Sequence, residues 1–190
     1  MRNCLNWWGK QDGPSHIAER LFEYPQIGPL TTDAAKDALV TPAKKLGVYY
    51  EEAALNEILS KTQCYPYFLQ EWGKHSWQNA EQSPISLTDV KAATEFAILE
   101  LDTSFFRVRF DRLTPSEKKY MRAMAELGSR PHRSGDIAHI LTKEVQAVAP
   151  IRSQLIKKGM IYSPEHGDNS FTVPLFDGYM KRVIPSLENM

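Results

Sequence analysis

The residues with the chemical reach for a reaction are few, and none stands in the spacing a reaction requires. Gly9-Lys10 and Gly73-Lys74 are followed by Gln11 and His75. A phosphate-gripping loop needs G-x-x-x-x-G-K-[ST], because backbone N–H groups cradle the phosphates and the hydroxyl holds Mg²⁺. Neither pair meets that need. Ile98-Leu99-Glu100-Leu101-Asp102 ends in an acid, but it is interrupted by charge and lies in a helical pattern rather than a buried strand. No Ser sits in a G-x-S-x-G elbow, and neither Cys4 nor Cys64 has a His partner by motif. Asp136 and His139, three apart with His132 nearby, lack the further ligands of a metal site. Glu71 and His75 read as a surface i, i+4 pair. The expectation is a non-enzyme with no catalytic residue, no metal and no cofactor of its own.

What remains is binding. Arg133, Gln146, Arg152, Gln154, Lys157 and Lys158 cluster late in the chain. Cations suit phosphates, and amides or Arg suit base edges, so these six are the candidate contacts to DNA or to a partner. Glu144 among them, and a modest charge excess, fit a protein-docking face as well. From Leu113 onward there are 11 basic and 8 acidic residues, against 12 and 15 before it. Over the 190 residues the charges balance at 23 of each sign, so no global field points to nucleic acid or membrane. Two cysteines give no disulfide framework and fit a reducing cytoplasm. No apolar run approaches the roughly 20 residues that span a bilayer.

The elements that would carry these residues are mainly helical. Residues 1–30 read as irregular apart from Ile17 to Tyr24. From Thr31, capping by Thr32 and the stripe Ala34, Ala35, Ala38, Leu39 predict a helix. Thr41-Pro42 reads as a restart and Gly47 as a stop. Ala54, Leu55, Ile58 and Leu59 mark a second helix ending near Thr62. A third begins at Pro66, with Leu69, Trp72, Gly73 and Ser76 on one face and Trp77 and Ala80 extending that buried face. The fourth starts with a Ser86 cap and Asp89, its stripe running Val90, Ala93, Ala97, Leu101, Phe105, with or without a break before Phe110. Together they form a four-helix bundle over residues 31–112.

Leu113-Thr114-Pro115-Ser116-Glu117 is a capping-box start, and Gly128 ends the helix it opens. Ser134 reads as the cap of a short helix. Pro150 is expected near a first turn, so the next helix is expected to begin around Gln146–Ala149 and to stop at Gly159. Met160-Ile161-Tyr162 and Ser170 to Val173 read as a hairpin around a loop at Pro164 to Asn169. A last helix runs from Leu175 to Val183. Helix, helix-turn-helix and hairpin in this order form a winged helix, over residues 113–186.

A four-helix bundle followed by a winged helix resembles the C-terminal part of a prokaryotic AAA+ or signalling-type P-loop ATPase of the replication-initiator-like group. Three places carry the resemblance. Thr62 to Gln70 is similar to a "T-G-G-Y-P-x-x-L-Q" lid motif; Phe105 to Leu113 runs into Thr114 to Glu117; and Phe171 to Phe176 hands the wing over to a "P-L-F" helix. In that family the lid turn packs on adenine, which implies Tyr65, Pro66 and Tyr67 as nucleotide contacts. ATP or ADP would be held by an upstream or separate P-loop domain. The chain would then be a non-catalytic lid-plus-winged-helix portion with nucleotide-dependent DNA or partner binding, in an assembly that could be a homo-oligomer. Two departures are plain: Gln63-Cys64 replaces the glycine pair, and Tyr67 stands near the position where many lids place an arginine. The alternative is a stand-alone winged-helix DNA-binding regulator whose bundle is an interaction or dimerisation module.

Overall fold

Capping and burial account for most of the architecture. The computed structural model describes residues 28–187, so the expectation for residues 1–27 lies outside the described part. Helix α1 (Thr32–Lys45) is capped by Thr31, whose hydroxyl accepts from the Ala34 N–H. It buries Ala35, Leu39 and Ala43, a stripe with the four-residue step of one helix face. That stripe runs straight across Pro42, so the expected restart at Thr41-Pro42 does not occur. Pro42 and Ala38, whose carbonyl a proline cannot bond, are both exposed.

Helices α2 (Glu52–Thr62) and α3 (Pro66–Asn79) follow, and α3 sets fully buried Phe68 and Trp72 into the core. The Trp72 indole donates to Thr94 Oγ1 at 3.1 Å. Helix α4 (Leu87–Glu100) opens with the Ser86–Asp89 capping box. It then passes through a π-helical stretch, Leu101–Phe106, into the short α5 (Arg107–Phe110). The buried stripe therefore steps from Leu101 to Phe106, five residues on, rather than to Phe105. Thr103 Oγ1 donates to the Leu99 carbonyl at 2.9 Å and Ser104 Oγ to the Glu100 carbonyl at 2.6 Å, so hydroxyls within the widened turn bond back to carbonyls four residues before them.

Helix α6 (Pro115–Leu127) carries the second capping box, Thr114 with Glu117, and ends at Gly128. Strand β1 (His132–Arg133) leads into α7 (Ser134–Ile140). Ser134 is not a side-chain cap there: its hydroxyl turns to the Gly167 carbonyl at 3.1 Å. Helix α8 (Val145–Lys157) holds Pro150 in its middle, and Pro150 and Gln146, whose carbonyl it cannot bond, are both exposed. Strands β2 (Ile161–Tyr162) and β3 (Asp168–Phe171) complete an antiparallel sheet in the order β1-β3-β2. Pairing Asn169 with His132 and Phe171 with Ile161 starts β3 two residues earlier than the sequence pattern does. Helix α9 (Phe176–Val183) closes the described chain. The result is mainly α with a small three-stranded sheet, a helical bundle followed by a winged helix. One continuous apolar core runs from Ala35 to Met180.

Candidate functional site

The turn between α2 and α3 is built on two consecutive left-handed residues, Gln63 (φ 50°) and Cys64 (φ 56°). Non-glycine residues adopt that region at a cost of roughly 1–2 kcal/mol each, so the surroundings must hold them there. Thr62 is fully buried and donates to the Ile58 carbonyl at 2.7 Å. The Tyr65 N–H reaches the Thr62 carbonyl at 3.0 Å, and the Leu30 N–H takes the Cys64 carbonyl at 2.9 Å. Pro66 then starts α3 without needing a donor.

The three sequence-predicted nucleotide contacts do not share one concavity. Tyr65 packs on Phe68 with ring centroids 4.8 Å apart and lines a cleft of about 200 Å³ between this turn and the β3–α9 connection. Pro66 lines a different cavity, between α1 and α3. Tyr67 stacks on Phe105 at 4.8 Å, nearly parallel, and the Arg109 guanidinium lies 3.7 Å from the Phe105 ring centroid. Arg109 also donates to the Phe105 carbonyl at 2.9 Å. A cation thus does reach the aromatic cluster beside the turn, from α5 instead of α3. The π-helical offset turns Phe105 toward Tyr67, and a regular helical period read from the sequence conceals this.

On the winged helix, two of the six candidate contacts are engaged internally. Arg152 donates through Nε to Asn169 Oδ1 at 2.6 Å and through Nη2 to Ser163 Oγ at 2.9 Å and the Asp168 carbonyl at 3.2 Å. Asn169, fully buried, passes the network on to the His132 carbonyl and Ser134 Oγ. This asparagine was read as loop in the sequence; only the strand register reveals its role. Lys158 bonds Glu117 at 2.7 Å and the Arg112 carbonyl at 3.0 Å. Burial pushes the Glu117 carboxyl up, but the bonds from Lys158 and Thr114 outweigh it and hold it below its ordinary value. Arg133, Gln146, Gln154 and Lys157 are exposed. The wing adds exposed Glu165 and half-buried Asp168.

His132, Asp136 and His139 do not converge: His132 Nε2 lies 3.2 Å from the Gly128 carbonyl. Among the described residues no group of three or more His, Cys, Asp or Glu side chains could hold a metal ion. None of their helices is long and apolar enough to cross a membrane.

Residues 103–180, less than half the chain, match the model of a domain of unknown function (DUF8462). No curated protein matches the sequence. Among solved structures the chain is similar to two mutant forms of Thermotoga maritima RuvB. One is 16% identical, with a TM-score of 0.37 over 74% of this chain and 46% of that chain. The other is 17% identical, with a TM-score of 0.39 over 76% and 47%. The chain spans about half the length of those structures.

Proposed function

We propose that this chain is the lid and winged-helix portion of an AAA+-type ATPase, non-catalytic by itself, in a reducing cytoplasm. A separate P-loop domain would hold ATP or ADP, and the α2–α3 turn would close over the base. The observation that supports this reading is the backbone of that turn. Gln63 and Cys64 both take the left-handed conformation that glycine adopts freely, at the two places where the resembling lid motif has glycines. Tyr65, Pro66 and Tyr67 follow it in the motif's order. The bundle then occupies residues 31–112 and the winged helix 113–186.

For the winged helix, a protein partner is favoured over duplex DNA. Arg152 and Lys158 are committed to internal bonds, and Glu165 and Asp168 place carboxylates on the wing, where duplex phosphates would lie.

The test is affinity capture on the full chain, with and without a non-hydrolysable ATP analogue. The expected catch is a protein carrying G-x-x-x-x-G-K-[ST], retained better with the analogue and lost with Tyr65→Ala and Tyr67→Ala together. Micromolar ATP binding by the chain alone, measured by calorimetry, would sink the non-catalytic reading. Tight duplex binding that falls steeply with salt and is lost in Arg133→Ala/Lys157→Ala would favour the stand-alone regulator.

A further inference from the structure

A cavity of about 460 Å³ opens between α1 and α3. Its floor is made by Leu39, Ala43 and Leu69, all buried, and its mouth by Leu46 and Trp77, 72% and 39% exposed. Gly73 sets the depth, because a Cβ there would stand 3.0 Å from Leu39 Cδ2 and crowd the floor. An apolar trough between two helices is the geometry that receives the apolar edge of a third helix, read through anchors at i, i+3, i+4 and i+7. A small-molecule site would add buried polar groups that fix a ligand's orientation. Here Gln70 and Lys74, both lining the groove, are exposed, and half-buried Tyr50 brings a further polar side chain to the lining.

Charge says what kind of helix fits. Lys74 lines one side and makes a long, 3.4 Å contact with Glu71. Lys45, exposed, lies three residues beyond Pro42 and seven beyond Ala38, which puts it on the same side of α1 as those two lining residues, beside the groove and not in its lining. Among the described residues no ion pair engages Lys45. Two lysines therefore flank the apolar trough, Lys74 in long contact with Glu71 and Lys45 with no acidic partner among the described residues.

We infer that the α1–α3 groove receives an amphipathic helix of a protein partner, apolar along the inserted edge and acidic on its flanks. The probe is a synthetic helical peptide with Leu at i, i+3, i+4 and i+7 and Glu beside them, titrated by fluorescence anisotropy against the full chain. Expected are micromolar binding and a shift of the Trp77 indole resonance. Ala38→Trp, made at an exposed lining position, should weaken binding about tenfold. Lys45→Glu with Lys74→Glu should reverse the preference toward a Lys-flanked peptide, and this surface pair decides the matter should Ala38→Trp fail to fold. The inference is overturned by no binding, by equal binding of Glu- and Lys-flanked peptides, or by binding that Ala38→Trp leaves unchanged. It is also overturned by a dimer in sedimentation that Ala38→Trp dissolves, since a second copy would then be the occupant.

Discussion

At the scale of single residues, the α2–α3 turn asks glycine geometry of side chains that are not glycine. Gln63 is exposed and its side chain makes no hydrogen bond among those described, so only the neighbouring backbone bonds hold its left-handed conformation. Gln63→Gly should remove roughly 1–2 kcal/mol of strain and add back about 0.5–1 kcal/mol of unfolded-chain entropy. The net expectation is a gain of about 0.5–1 kcal/mol, read as a midpoint shift in urea with unchanged slope. Cys64→Gly should be nearly neutral, because Cys64 is half-buried and its removal loses apolar contact. A drop in stability for Gln63→Gly would mean that the glutamine side chain holds the turn. The sequence has no glycine at these two positions, and it cannot show that the backbone nevertheless takes the left-handed turn. That turn depends on Thr62, Leu30 and the start of α3 around it.

At the scale of elements, the two capping boxes were legible because they are local, Ser86 with Asp89 and Thr114 with Glu117. The single caps expected at Thr32 and Ser134 are not made: Thr31 caps α1 and no side chain caps α7. Pro42 and Pro150 misled because the apolar stripes of α1 and α8 hold each helix together across its proline, and that packing is a tertiary fact. The π-helical step from Leu101 to Phe106 was illegible for a similar reason, since period analysis assumes an unbroken 3.6. The winged helix, in turn, is tied by two cations whose residue types alone suggested surface contacts. Arg152→Ala should orphan the buried Asn169 amide oxygen and cost about 2–3 kcal/mol, with Arg152→Lys a poor rescue because an ammonium cannot make the forked contacts. Duplex-binding tests are cleaner with Lys157 and Arg133, whose loss leaves this network intact. Glu117, buried and bonded by Lys158 and Thr114, has a depressed carboxyl pKa. Its stabilising contribution is present above the ordinary glutamate value near 4.3 and is lost as pH falls through the lower folded value. Glu117→Gln should therefore lower stability by about 2 kcal/mol at pH 7. The gap to wild type should narrow in acid melts below about pH 4; a gap independent of pH would show that the carboxylate's charge is irrelevant.

At the scale of the whole molecule, the bundle and the winged helix meet through aromatic rings rather than through a linker. Phe106, 1% exposed, sits edge-on to Phe68 of α3 at 5.8 Å and to Phe176 of α9 at 5.5 Å, and lies 5.2 Å from Tyr179. Arg182 of α9 adds a forked pair to Asp102 at 2.7 and 2.6 Å, though at partly exposed positions where such a pair contributes at most about 1 kcal/mol. The boundary drawn at residues 112–113 thus divides the chain by motif, while the packing crosses it. A chain whose halves share a core unfolds as one unit, so calorimetry should give a single transition with equal calorimetric and van't Hoff enthalpies. Phe106→Ala removes the ring both halves share and leaves a cavity between them, which should lower stability by about 3–5 kcal/mol. Because Arg182 and Asp102 cannot replace that contact, the variant should also separate the transition into two, bundle and winged helix melting apart. Two transitions in the unaltered protein would place the division where the motifs do and reduce the ring cluster to a contact between independent domains. One transition that merely shifts on Phe106→Ala would instead show that Phe110, Phe176 and Tyr179 carry the coupling without it.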